Sequence, residues 1–216
     1  MTIEWKTSSK VIPYDEALSF MEKRVDSIVK GEQTELIWFL EHPPIYTSGT
    51  SSKKQDLFNH KNLPVYNAKR GGQYTFHGPG QRIVYVMLNL NKRGRDLRKF
   101  VKNLENWIIL SLSDLNIEGF TRSDRIGVWV KRHDKPLTEA GNICEEKIAA
   151  IGIRLRKWVS FHGMSINVNP DLNYYDGIVP CGINDFGVTS MEDLGIDVSF
   201  KELDEKIKKS FNLAFT

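Results

Sequence analysis

Hydrophobic positions along this chain alternate between helical and strand-like patterns. From Pro13 to about Lys30, residues Ala17, Leu18, Met21, Val25 and Ile28 recur on one face of a helix. Pro13 suits the first helical position and Gly31 suits the stop. Leu36-Ile37-Trp38-Phe39-Leu40 is continuously apolar and ends at Pro43-Pro44, which marks a strand buried on both faces. Val84 to Leu90 predicts a second such strand, entered from a glycine-rich stretch. Asp96 to about Leu115 returns to the helical period, with Leu97, Phe100, Val101, Leu104, Trp107, Ile108 and Ser111 on its inner stripe. β-Rich segments follow at Gly127–Lys131, Lys147–Arg156 and Trp158–Val168, and the polar stretch His133–Glu146 reads as a loop or hairpin tip. Ser199-Phe200-Lys201-Glu202 has the pattern of a capping box and opens a last helix that buries Leu203, Ile207 and Phe211. These elements predict an α/β (α+β) chain, a mixed β-sheet flanked by helices. No repeat, low-complexity tract or Pro/Ser-rich linker interrupts them, so residues 1–216 are expected to form a single domain.

Composition narrows the function without naming it. The chain has 216 residues, 40% hydrophobic and 26% charged, which suits a globular protein with a sizeable core. A net charge of +3 is too mild for a nucleic-acid partner, though it permits an acidic protein partner. Two cysteines make no disulfide scaffold, and neither C-x-x-C nor H-E-x-x-H spacing occurs, so no metal is expected. The longest apolar runs, such as Ile83–Leu88, are too short to span a bilayer, and no membrane partner is expected. The N-terminal stretch lacks a charged region followed by an apolar one and carries Glu4, Asp15 and Glu16, so the expected location is cytoplasmic.

Four segments hold candidate chemistry. Cys181 stands in Pro180-Cys181-Gly182, between a residue that rigidifies the turn and one with no side chain. A thiol there is exposed beside an amide able to receive an oxyanion; the bland alternative is a small buried cysteine. Arg70-Gly71-Gly72-Gln73-Tyr74-Thr75-Phe76-His77-Gly78-Pro79-Gly80-Gln81 packs four glycines beside an arginine and a histidine. It is either a ligand-cradling strand between two turns or a pair of ordinary hairpin turns, and it matches neither common phosphate-binding fingerprint. Lys147 opens a strand whose later residues Ala150 and Gly152 leave one face clear; it is either a solvated surface charge or the activating partner of a cleft cysteine. In Phe161-His162-Gly163-Met164-Ser165-Ile166-Asn167-Val168, Gly163 and Ser165 are again small on one face, and His162 is either a base or a hydrogen-bonded structural residue.

These segments, in this order, resemble the lipoyl (octanoyl) transferase family. Its pattern R-G-G-x-x-T-x-H-G-P-G-Q is matched by Arg70–Gln81, K-I-A-x-x-G-[IV] by Lys147–Ile153, H-G-x-[AS]-[LI]-N-V by His162–Val168, and I-x-P-C-G-[IL] by Ile178–Ile183. Glu41-His42-Pro43-Pro44 and Val188-Thr189-Ser190 also look like family features. The resemblance implies the catalytic-domain fold shared by biotin and lipoate ligases. It implies transfer of an octanoyl group from acyl carrier protein to a lysine of a lipoyl domain, in 2-oxoacid dehydrogenase complexes and in the glycine cleavage H protein. By position, Cys181 becomes the acyl-accepting nucleophile and Lys147 its activating partner. Arg70, Gly71, Gly72, Gln73, Tyr74, Thr75, Phe76 and His77, together with Ala150, Ile151, Gly152, Gly163, Met164 and Ser165, become the substrate pocket. Cys144 has no matching role, and no cofactor is implied, because an incoming thioester already carries the activation.

Two further readings bear on partners and rivals. The basic stretch Lys92-Arg93-Gly94-Arg95 with Arg98, Lys99 and Lys102 can receive an acidic carrier protein, or it is the solvated face of the following helix. An ATP-dependent ligase and a non-catalytic acyl-binding module are the alternatives to a transferase; neither needs a paired cysteine and lysine.

Overall fold

The computed structural model describes residues 3–179 and 187–215. Chain order is β1 (Ile3–Val11), α1 (Tyr14–Lys30), β2 (Glu35–Glu41), β3 (Ile45–Ser48), β4 (Val65–Asn67), β5 (Thr75–His77), β6 (Gln81–Met87), α2 (Leu97–Ser113), β7 (Gly119–Phe120), β8 (Val128–Arg132), β9 (Cys144–Arg156), β10 (Val159–Asn167), β11 (Gly187–Val188) and α3 (Phe200–Ala214). The main sheet runs β1-β2-β6-β10-β9-β8-β7, with β11 added on β9. Its β1–β2 and β9–β11 pairings are parallel and the others antiparallel, the mixed sheet that was expected. A small sheet, β4-β3-β5, stands apart from it.

The continuous apolar runs have a direct cause: both faces of the central strands are covered. Leu36, Trp38, Leu40, Ile83, Tyr85 and Met87 pack with Ala17, Met21, Val25 and Ile28 of α1. The alternate residues Ile37, Phe39, Val84 and Val86 pack with Phe100, Leu104, Trp107 and Ile108 of α2 and Leu203, Ile207 and Phe211 of α3. The helix ends follow their sequence signals. Gly31 caps α1 at φ 78°, the Asp96 side chain accepts from Lys99 N at the start of α2, and Ser199 accepts from Glu202 N at the start of α3.

Several boundaries move. Pro13 caps α1 instead of occupying its first turn. β6 begins at Gln81, three residues before the expected start, because two polar residues are buried in it. Gln81 bonds inside the sheet, and Arg82 forms a two-pronged pair with Asp204 of α3 at 2.8 and 2.6 Å. β9 begins at Cys144, so the expected loop ends earlier. β10 follows a two-residue turn in which Lys157 and Trp158 both take positive φ, the geometry that suits a tight hairpin. On α2, Leu97 is 41% exposed and Val101 half-buried; they are not core.

Burying Phe39 between β2 and the α2–α3 layer makes it a test of this packing. Phe39→Ala is expected to lower unfolding stability by about 3–5 kcal/mol in urea titration, and a loss under about 1 kcal/mol would contradict the two-faced burial.

Candidate active site

An elongated cavity of about 530 Å³ lies along β9 and β10 and is roofed by the segment that leads into β5. Lys147 and Ala149 to Ile153 form its long wall, a run of roughly 20 Å at strand rise. Lys147 marks one end. Arg70, His77, His162 and Tyr14 line the other end.

Lys147 is 5% exposed, so its position on the wall is not that of a solvated surface charge. Nζ donates to the Ile126 carbonyl at 3.1 Å and lies 4.6 Å from the Trp129 ring centroid. A bulge aims it there: Trp129 pairs with Lys147 and Val128 with Ala149, which leaves Ile148 without an opposite residue. β10 has ended at this level, its last partner on β9 being Ala149, and β11 takes its place. Val188 pairs with Lys147, and Thr189 N donates to the Lys147 carbonyl at 3.0 Å. The stem Gly187–Thr189, which follows Cys181 in sequence, is thus hydrogen-bonded to the backbone of Lys147. Cys181 itself lies outside the described residues, as do Pro180 and Gly182.

Buried charge holds that stem. Arg132, 2% exposed on β8, donates to Glu146 at 2.6 Å, Thr189 Oγ1 at 2.9 Å and Asp134 at 2.9 and 2.7 Å, and it also pairs with Asp193. A cation taken out of water this fully is tolerated only with such partners. Asn167 Nδ2 donates to the Thr189 carbonyl at 2.9 Å, which ties the same stem to β10.

The far end is polar but uncharged apart from one guanidinium. Arg70 donates to the Thr47 carbonyl and hydroxyl at 3.0 and 2.8 Å and to the carbonyls of Gly71 and Gln73 at 2.9 and 3.1 Å. It therefore staples the glycine-rich segment to β3. Gly152 permits this, since a Cβ there would meet Arg70 Cδ at 2.5 Å. Gly163 answers to the sheet: a Cβ would lie 2.0 Å from the Val84 carbonyl. The glycines expected to clear a path for substrate thus make room for Arg70 and for β6.

His42 Nδ1 donates to the Ile12 carbonyl at 2.6 Å, which leaves Nε2 to accept from the Tyr85 hydroxyl at 2.6 Å. His77 pairs with Gln81 at 2.7 Å, and His162 Nε2 lies 3.2 Å from the Tyr14 hydroxyl. His162 takes φ +60°, which folds its ring flat against Phe161 at 5.4 Å, a contact that consecutive residues of a regular strand cannot make. Burial pushes His42 down to about 4 and His162 to about 3, the latter helped by the Arg70 and Arg154 charges; burial also takes His77 well below the usual imidazole range. Burial raises Tyr14 to about 12. These rings are neutral near pH 7.

Of the described residues expected at the site, Lys147, Arg70, Gly71, Gly72, Gln73, Tyr74, Thr75, His77, Ala150, Ile151, Gly152, Gly163, Met164 and Ser165 all border this cavity. Phe76 does not. It alternates with Thr75 and His77 in β5, so its ring turns to the opposite side and stacks on Tyr174 at 4.7 Å. Cys144 sits at the start of β9 and donates to the Pro136 carbonyl at 3.0 Å, away from the cavity. Sequence patterns missed Tyr14, Tyr85, Leu97, Val101 and Ile126, which border the cavity from α1, β6, α2 and the turn before β8.

The chain matches the family model described as the lipoyl protein ligase A/B catalytic domain over residues 13–212. It is 55% identical over 213 residues to an octanoyltransferase of Dinoroseobacter shibae, covering 99% of this chain and 97% of that protein. An octanoyltransferase of Paracoccus denitrificans is 56% identical over 208 residues, covering 96% of this chain and 95% of that protein. Among solved structures, lipoate-protein ligase A bound with ATP superposes with a TM-score of 0.67 at 15% identity, over 98% of this chain and 85% of that one. The Aquifex aeolicus biotin protein ligase gives 0.51 at 14% identity, over 99% and 68%. The chain belongs to the lipoyl protein ligase A/B catalytic-domain family, alongside octanoyltransferases, and it is an acyltransferase. The fold that the resemblance implied is the fold observed.

The neutral histidines give a pH signature. Each ionises near 6.5 in the unfolded chain and lower in the folded one, so the stability they contribute is full above about pH 6.5 and is lost as pH falls. Each adds a slope of about 1.4 kcal/mol per pH unit in its window. His42→Gln is expected to flatten the decline between about pH 6 and pH 4 by that amount in urea titrations, and an unchanged slope would contradict a buried neutral His42.

Proposed function

We propose that the chain transfers an octanoyl or lipoyl group from acyl carrier protein to the target lysine of lipoyl domains, through a thioester on Cys181. The observation that carries this reading is the pairing of Gly187–Thr189, which follow Cys181 in sequence, with the backbone of Lys147 beside the cavity. The acceptors are lipoyl domains of 2-oxoacid dehydrogenase complexes and the glycine cleavage H protein. The step opens endogenous protein lipoylation in the cytoplasm, and residues 1–216 act as one acyltransferase domain.

Lys147 takes the Cys181 proton or holds the thiolate by its charge. The thiolate attacks the thioester carbonyl, a new C–S bond forms, and the carrier thiolate leaves with a proton. Backbone donors near Gly182 hold the tetrahedral oxyanion. The first exchange replaces one thioester with another and is nearly balanced. The acceptor amine then attacks, Cys181 leaves as thiolate, and amide formation draws the sequence forward, Lys147 taking the amine proton. The acyl chain lies along Lys147–Gly152 towards the Arg70–His77 and Gly163–Ser165 walls. A run of roughly 20 Å exceeds the length of an extended octanoyl chain, which leaves space for the carrier's arm or the incoming lysine.

Leu97 and Ile126, 41% and 56% exposed, stand at the rim of the cavity with Arg98, Lys99 and Lys102 on the exposed face of α2. That surface suits an acidic carrier. The ligase alternative remains distinct in its chemistry, since it needs free acid and ATP in place of a thioester.

Mixing the enzyme with octanoyl carrier protein is expected to add one octanoyl mass, mapped to Cys181. Cys181→Ala should abolish the adduct, and Lys147→Ala should fold yet lose most turnover. An unmodified enzyme that turns over free acid with ATP would overturn the reading.

A further inference from the structure

Glu105 is a buried carboxylate without a part in the transfer just described. It sits on the inner face of α2, 8% exposed, among apolar neighbours Leu104 and Ile108. Its Oε1 accepts the Gly127 N–H at 3.0 Å. The carbonyl of the same peptide group, that of Ile126, accepts Lys147 Nζ at 3.1 Å. One peptide unit is therefore gripped at its N–H end by a carboxylate and at its C=O end by the lysine amine. Hydrogen bonds in such a chain polarise one another: a negative charge on the N–H makes the carbonyl a stronger acceptor for an ammonium. The backbone is shaped for this contact. Gly127 has φ +126°, and a Cβ there would lie 2.8 Å from the Ala149 carbonyl and 3.1 Å from Lys147 Cε.

We propose that Glu105 is a positioning residue for Lys147, acting through the Ile126–Gly127 peptide group to aim the amine along the cavity wall. The inference rests on the role of Lys147 proposed above. Burial raises the Glu105 carboxyl above its ordinary range, while the Gly127 hydrogen bond and the Lys147 charge oppose that rise. Among the described residues, charged groups near this network include Lys102 on α2, whose charge acts on Glu105, and Arg125 before β8, which stacks on Trp129 and pairs with Glu145 and Asp124. Cys181 and Asp185 lie outside the described residues.

The sign follows from the charge. Glu105 lies one peptide group from the Lys147 amine, so removing its negative charge is expected to displace the pH–rate profile to lower pH. Glu105→Gln keeps an acceptor for Gly127 N–H and removes the charge. Both limbs of its pH–rate profile are expected to move to lower pH, with KM for the acyl donor unchanged. Glu105→Ala also removes the acceptor; kcat is expected to fall by about tenfold, with Gln restoring most of the loss and Leu none. The measurement is kcat and KM against pH for the full chain and its E105Q, E105A, E105L and K147A variants, with thermal unfolding alongside. Superimposable profiles for wild type and E105Q, while K147A is inactive, would overturn the role of Glu105 alone. Loss of activity in E105A that merely tracks lost stability, with no pH displacement in E105Q, would overturn it equally. Wild-type turnover by K147A would remove the assignment of Lys147 first, and this inference with it.

Discussion

The site depends on a change of partner along one strand. β9 pairs with β10 from Ala149 onward, and at Glu146–Lys147 its neighbour on that side becomes β11. The sheet is thereby completed by Gly187–Val188, which follow Cys181 in sequence. Two strand residues are too few to hold by ladder bonds alone. The hold comes from Arg132, a cation buried beneath the stem and hydrogen-bonded to Glu146, Thr189 and Asp134. Its desolvation is offset only while all of these partners stay in place, so the stem, β8 and β9 are tied into one arrangement. The β9 bulge that points Lys147 toward Ile126 faces Val128 and Trp129 of β8, the same strand that carries Arg132.

The cavity that follows has two unlike ends. At the Lys147 end the lining includes Asp124 and Arg125; at the far end, neutral histidines are hydrogen-bonded to tyrosines, to the Ile12 carbonyl and to Gln81. Neutral rings in a buried environment cost less than charged ones, and hydrogen bonds satisfy most of their polar atoms, His162 Nδ1 being without a partner among the described residues. The cavity wall runs past apolar strand residues such as Ile151, Met164 and Ile83 to a polar end stapled by Arg70. Function and fold share residues here: Gly152 is small for Arg70, and Arg70 holds the glycine segment that roofs the cavity.

Much of this was legible in the chain, for stated reasons. Strands buried on both faces lose their alternation, which is why β2 and the core of β6 stand out, and amphipathic stripes with capping residues mark the three helices. The N-terminal strand was missed because Lys6, Ser8, Ser9 and Lys10 give it the polar pattern of an edge, where exposed strand residues are tolerated. The small sheet was mostly invisible because strands of three or four residues carry no readable period. Phe76 was misplaced because motif membership says nothing about which side of a strand a residue faces. Glu105 and Ile126 escaped because they join the site through a backbone peptide group, a contact that depends on tertiary geometry and leaves no spacing signal.

The central claim is that the Cys181 thiol and the Lys147 amine share one end of the cavity, with the acyl chain running from them along β9. A crystal structure of the protein after reaction with an octanoyl thioester tests it most directly. The account predicts continuous density from Cys181 Sγ past Lys147 and Ala150 toward Arg70. Density for the chain elsewhere, or a thiol and amine facing opposite sides of the sheet, would contradict it.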